Sequence, residues 1–99
     1  MKKIIMEKGC GKTHQLILKS ASTGHYIVCF DSNEASRIQS KAMDMGVQIP
    51  FPLTFSEFLN KEYYARNIKG FLIDNVEMLI QELTSVPIRA ITLTTNETI

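Results

Sequence analysis

Hydrophobic positions along this chain follow two rhythms. One is the short continuous run. Lys2 to Met6 is a brief apolar segment, Tyr26-Ile27-Val28-Cys29-Phe30 a fuller one, Gly70-Phe71-Leu72-Ile73-Asp74 the next, and Ile88 to Thr94 the last. Runs of this length, rich in β-branched and aromatic residues, predict strands; for Tyr26–Phe30 and Gly70–Asp74 the pattern is that of a strand buried in a parallel sheet. The other rhythm is helical. Leu16, Ile17 and Leu18 give an apolar side to a helix over Thr13 to Ala21. Ala35, Ile38, Ala42 and Met45 form a single stripe, and Val76, Leu79, Ile80 and Leu83 form another.

The punctuation agrees with these elements. Thr23-Gly24 ends the first helix. Asp31 followed by Glu34 has the form of a capping box at the start of the second, and Gly46 suits a left-handed stop. Pro50-Phe51-Pro52-Leu53 is expected to be extended, because each proline biases its predecessor away from helix. Thr54 with Glu57 is a second capping box, opening a short helix through Phe58 and Leu59. Lys61 to Lys69 is polar and reads as a loop. Strand and helix in alternation predict βαβ units and an α/β fold with a mainly parallel sheet.

Composition bounds the reading. Ninety-nine residues, 44% hydrophobic and 21% charged, suit a single domain spanning 1–99. No apolar run approaches the roughly 20 residues of a membrane helix, and the apolar stretch near the N-terminus is too short for a signal-peptide core. A soluble, cytoplasmic protein is therefore expected. The net charge of +1 gives no electrostatic case for nucleic acid. Tyr63, Tyr64, Arg66 and Lys69 could present a small aromatic-basic patch, but a solvated loop with half-buried tyrosines is the favoured reading. The two cysteines, Cys10 and Cys29, lack the clustered ligands of a zinc site and read as buried free thiols.

The chemistry concentrates at Gly9-Cys10-Gly11-Lys12-Thr13, between a strand and a helix. The phosphate-binding P-loop has the pattern G-x-x-x-x-G-K-[ST] in that setting, and here Met6 stands in place of the first glycine. Backbone N–H groups of Gly9, Cys10 and Gly11 would cradle phosphates, Lys12 would reach the β- and γ-phosphates, and the Thr13 hydroxyl would bind Mg2+. The start of the next helix, with His14 expected exposed on it, adds the positive end of its dipole. Phe71-Leu72-Ile73-Asp74 reads as a Walker B strand, apolar residues ending in a carboxylate that holds Mg2+. Asp74 with Glu77 also has the form of a capping box, and the two readings can coexist.

With Thr94-Thr95-Asn96 closing the last strand, the chain resembles the P-loop NTPases of the RecA-like and AAA+ branch, the helicase motors among them. The resemblance implies a truncated three-layer α/β sandwich with the last strand between the first strand and Gly70–Asp74. Gly11, Asp74 and Asn96 would then converge at one edge, and Asn96 would serve the γ-phosphate or the attacking water. It implies ATP and Mg2+ as ligands. In this branch a catalytic Glu usually comes directly after the Walker B Asp; here Asn75 holds that position and cannot accept a proton, so hydrolysis is expected to be slow. Glu77 and Asp31 are the alternative bases. Glu7 excludes the subclass whose loop carries an extra lysine.

Within these 99 residues neither a second lobe nor a recognisable arginine finger is expected. The family's strand beyond the first is also missing, which leaves the first strand as an edge for a protein partner or a second copy to cover. The expected function is ATP binding with weak or no hydrolysis, as in a phage or mobile-element accessory protein. The alternative is a degenerate P-loop fold acting as an interaction or inhibitor module.

Overall fold

Ile27, Val28 and Cys29 have no polar side-chain group that needs water, and a strand made of them is stable only where both of its faces are covered. In the computed structural model, which describes residues 12–63 and 66–90, they are fully buried in the middle strand of a three-stranded sheet. The elements are α1 (Lys12–Thr23), β1 (Tyr26–Cys29), α2 (Ser32–Asp44), β2 (Leu53–Thr54), α3 (Phe55–Leu59), β3 (Phe71–Ile73) and α4 (Val76–Gln81). The sheet order is β2-β1-β3, and both pairings are parallel. Val28 lies opposite Leu53 on one side and Ile73 on the other.

Alternation along β1 divides the interior. Ile27 and Cys29 join Leu16 and Ile17 of α1 and Ala35, Ile38 and Ala42 of α2. Val28 joins Leu53, Phe55 and Leu79, with Tyr26, Phe58, Tyr63, Phe71 and Ile73 packed around them. The Phe58, Tyr63 and Phe71 rings meet at centroid distances of 5.0–6.1 Å, mostly edge to face. Tyr63 is thus committed to this cluster, and the Arg66 guanidinium lies 5.9 Å from the centre of the Tyr26 ring. Tyr64 lies outside the described residues.

The local signals set most boundaries. The Asp31 side chain accepts from the Glu34 N–H at 2.9 Å and caps α2, but the Glu34 carboxylate turns to Arg37, so this box is only half built. Thr54 and Glu57 form the complete box, at 3.2 and 2.9 Å. Gly24 and Gly46 take φ of +77 and +76 just past the ends of α1 and α2, a region that costs glycine nothing.

Three expectations are corrected. Leu18 is not on the buried side of α1; Ser20 is, because Leu16, Ile17 and Ser20 share one helical face and Leu18 points away from it. Phe71–Ile73 is half-buried rather than buried, since β3 pairs with β1 alone among the described strands. Leu83 lies beyond the end of α4 and is exposed, so the final stripe reduces to Leu79 with Val76 and Ile80 at its margins. Residues 88–90 belong to no described strand, and 91–99 lie outside the described residues, as does the expected first strand. No helix among the described residues is long and apolar enough to cross a membrane.

The Thr54 box yields the first prediction. Thr54→Ala removes one half of a reciprocal cap and should cost about 1 kcal/mol, a fall in Tm of roughly 4–8 °C for a domain of this size. Thermal unfolding monitored by circular dichroism measures it, and an unchanged Tm would mean that the cap carries no stability.

Candidate functional site

Because β1 and β3 run parallel, their C-terminal ends share one edge of the sheet. The Asp74 N–H continues the β3 ladder by donating to the Val28 carbonyl at 2.9 Å, which fixes where the carboxylate emerges. Asn75 then turns the chain at φ 57, ψ 61 and becomes the N-cap residue of α4. Asparagine tolerates this left-handed geometry better than most side chains. Lys12, the first residue of α1, reaches the same point from the other end of the described chain. Its ammonium donates to Asn75 Oδ1 across 63 positions of sequence, and lies 4.0 Å from Asp74 Oδ1.

Asp74 is the unusual group. Its side chain is only 3% exposed, and its Oδ1 has no hydrogen-bond partner among the described residues. The capping-box reading of Asp74 with Glu77 is therefore corrected: the cap position belongs to Asn75, and no side-chain cap bond forms there. The reason is the ladder bond to Val28, which ties Asp74, just past the end of β3, to the sheet and moves the turn one residue on. Burial pushes the Asp74 carboxyl above its ordinary range, Lys12 opposes the shift, and Glu34 and Glu77 add to it. Desolvation wins over Lys12 and the weaker pull of Arg37.

The other candidate residues are spread around this meeting point. Thr13 comes next after Lys12 on α1 and is half-buried; His14 is exposed, as expected. Glu77 is exposed in the first turn of α4, close enough for its charge to act on Asp74. Asp31 is engaged as the α2 cap, which ties up one of its oxygens. Gly9, Cys10, Gly11 and Asn96 lie outside the described residues.

Two residues at this edge carry no functional role in the sequence reading: Glu34 enters it only as the second member of the Asp31 box, and Arg37 belongs to no motif. Glu34 and Arg37 pair through the guanidinium Nε and one terminal nitrogen, each on a different carboxylate oxygen, in the first turns of α2, and the charges of both act on Asp74. The Arg37 side chain stays 59% exposed. Their spacing of three, on the helix directly after a strand at the carboxyl edge, is the signal that could have found them. Cys29, buried and free, lies beneath this edge. Its thiol is pushed up to about 12 by burial first, then by Glu34, Asp74, Asp31 and Glu57. It is therefore a neutral packing group here, not a nucleophile.

A buried carboxylate with an unbonded oxygen and a raised pKa destabilises the fold at neutral pH. The native state holds the Asp74 proton more tightly than the unfolded chain does. The cost is thus present above the raised pKa and is relieved as pH falls toward the ordinary value of 3.8. Asp74→Asn should raise stability at pH 7 by about 1 kcal/mol, and the gain should shrink as pH is lowered toward about 4. Thermal melts of both proteins across that range test this, and a loss of stability in Asp74→Asn at pH 7 would show a structural role for the charge.

Compared with protein-family models, curated protein sequences and solved structures, the chain has no significant match.

Proposed function

We propose that this chain is a minimal nucleotide-binding protein of the P-loop type, a truncated three-layer α/β sandwich that binds ATP with Mg2+ and hydrolyses it slowly or not at all. The observation that carries the reading is the meeting of Lys12 with a buried, uncapped Asp74 whose Oδ1 has no hydrogen-bond partner among the described residues. A carboxylate kept at that cost, beside the one lysine of a Gly-Lys-Thr turn, is better suited to binding a ligand than to stabilising a fold.

The residues fit the ligands in kind. Mg2+ prefers oxygen ligands and is usually held by one or two carboxylates, with substrate phosphates and waters completing the shell. Asp74 offers the unbonded oxygen and Thr13 a hydroxyl, so an all-protein cluster of acids is not needed; none of three or more ligating groups occurs among the described residues. When bound, Mg2+ would neutralise charge on the phosphate oxygens. Lys12 would bring a charge-assisted donor to the phosphates, with the backbone of Gly9–Gly11 around them. Asn96 would serve the γ-phosphate.

Weak hydrolysis is expected from the surroundings of the site. Asn75 cannot take a proton, Asp31 is engaged as a cap, and Glu77 is exposed. The docking-module alternative draws on a different observation. Leu83 and Val86 are about two-thirds exposed, and Phe30, Leu59 and Met78 are partly exposed, on the side of α3 and α4. Both readings share the same fold and differ in whether nucleotide or a protein surface is the ligand that matters.

Calorimetry with ATP and Mg2+ should show Lys12→Ala binding roughly 10- to 100-fold more weakly than the wild type, the worth of a charge-assisted contact to phosphate. Equal affinities would end the nucleotide reading. Phosphate release by the wild type should stay below about 1 s⁻¹, the low end of ordinary enzyme turnover, and a faster rate would overturn the weak-hydrolysis claim.

A further inference from the structure

Three features of Asn75 have no place in the capping or the packing of α4. It stands at the N-cap position, where an asparagine side chain ordinarily accepts a backbone N–H, yet it makes no such bond. Its backbone is left-handed, φ 57, in a position where the chain could have used glycine. Its Oδ1 instead accepts from the Lys12 ammonium, and that ammonium stays 4.0 Å from Asp74 Oδ1, beyond hydrogen-bonding distance of the carboxylate it would neutralise best. The turn at Asn75 thus diverts a capping side chain toward Lys12.

Resting on the nucleotide reading, we infer that Asn75 is a positioning residue for Lys12, and that its amide oxygen and a phosphate oxygen are alternative acceptors for the same ammonium. Binding of a phosphate chain then includes an exchange: Lys12 gives up Asn75 Oδ1 and takes a phosphate oxygen. Asn75 therefore lowers the affinity for nucleotide while keeping Lys12 extended and poised at the sheet edge. This role differs from that of a water-orienting group, because it acts through Lys12 and operates in binding rather than in the chemical step. An amide suits it: a carboxylate at this position would form an ion pair with Lys12 that phosphate would have to break, whereas glycine would offer Lys12 no side-chain acceptor.

The test is a double-mutant cycle with two readouts. Glycine accepts φ 57 without strain, so Asn75→Gly should fold. With ATP and Mg2+ as the probe, calorimetry should show Asn75→Gly binding about 3- to 10-fold more tightly than the wild type, the range of a lost competing hydrogen bond. In the Lys12→Ala background the same change should have no effect. Asn75→Asp, which also tolerates the turn, should move affinity the other way. Equal tightening with and without Lys12, or no tightening at all, overturns the inference, and so does a shift of the same sign for Gly and Asp.

The second readout is independent of nucleotide. In thermal unfolding without ATP, Lys12→Ala and Asn75→Gly should be non-additive, because each removes the same bond. Additive Tm changes overturn the inference even if ATP binds. If the Tm changes are non-additive but Lys12→Ala binds ATP as tightly as the wild type, the bond stands, and the nucleotide reading falls together with the exchange that rests on it.

Discussion

Parallel pairing on both sides of β1 is the constraint that generates the candidate site. It sends the carboxyl ends of all three described strands to one edge, and the residues just beyond those ends include Asp31, Glu34, Glu57 and Asp74. All four raise the pKa of Cys29, which shows how much negative charge gathers over one buried thiol. Against it stand Arg37, bound up with Glu34, and Lys12. In a partly desolvated setting one ammonium 4.0 Å away does not offset the burial of Asp74, whose carboxyl stays raised. Among the described residues the negative charge at this edge is not fully balanced, and on the proposed nucleotide reading a divalent cation would balance it.

Covering β1 on both faces is what makes that edge rigid. Ile27 and Cys29 are gripped by α1 and α2, Val28 by Leu53, Phe55 and Leu79. Asp31, Asp74 and Asn75 are attached within two residues of this packed strand system, and Lys12 at the first residue of α1. A change in the core would therefore be felt at the site through the position of Asp74, which is tied to Val28 by a ladder bond at 2.9 Å.

Elements whose signals are local are legible in the sequence. The α2 cap at Asp31, the complete box at Thr54 and the left-handed stop at Gly46 depend only on residues three or four apart, and all three form. The start of α4 is not legible, although Asp74 and Glu77 have the same spacing as a working box. There the outcome is decided by a partner outside the segment: the Val28 carbonyl holds Asp74 in the sheet. The half-burial of Phe71–Ile73 depends likewise on which strands flank it, which hydrophobicity alone does not encode. Lys12 and Asp74 are expected from the sequence at one edge of the sheet, and their charged groups lie 4.0 Å apart. The hydrogen bond from Lys12 to Asn75 is hidden from the sequence, because it depends on a backbone turn that no spacing rule describes.

The same turn bears on why position 75 holds an asparagine where the resembled family has a glutamate. At φ 57 a residue without glycine's freedom is strained by about 1 kcal/mol or more, and asparagine is among the side chains that bear it best. A glutamate placed there would carry that strain and, being near the Lys12 ammonium, would form an ion pair with it in place of the amide contact. Its carboxylate would then be held low in pKa and drawn toward the cation, a poor arrangement for accepting a proton from water. The left-handed turn and the contact with Lys12 are thus one structural feature, and on the proposed nucleotide reading the absence of a base at position 75 goes with them. Within this geometry, gaining a base at position 75 would require the turn itself to move, and with it the point at which β3 lets go of Val28.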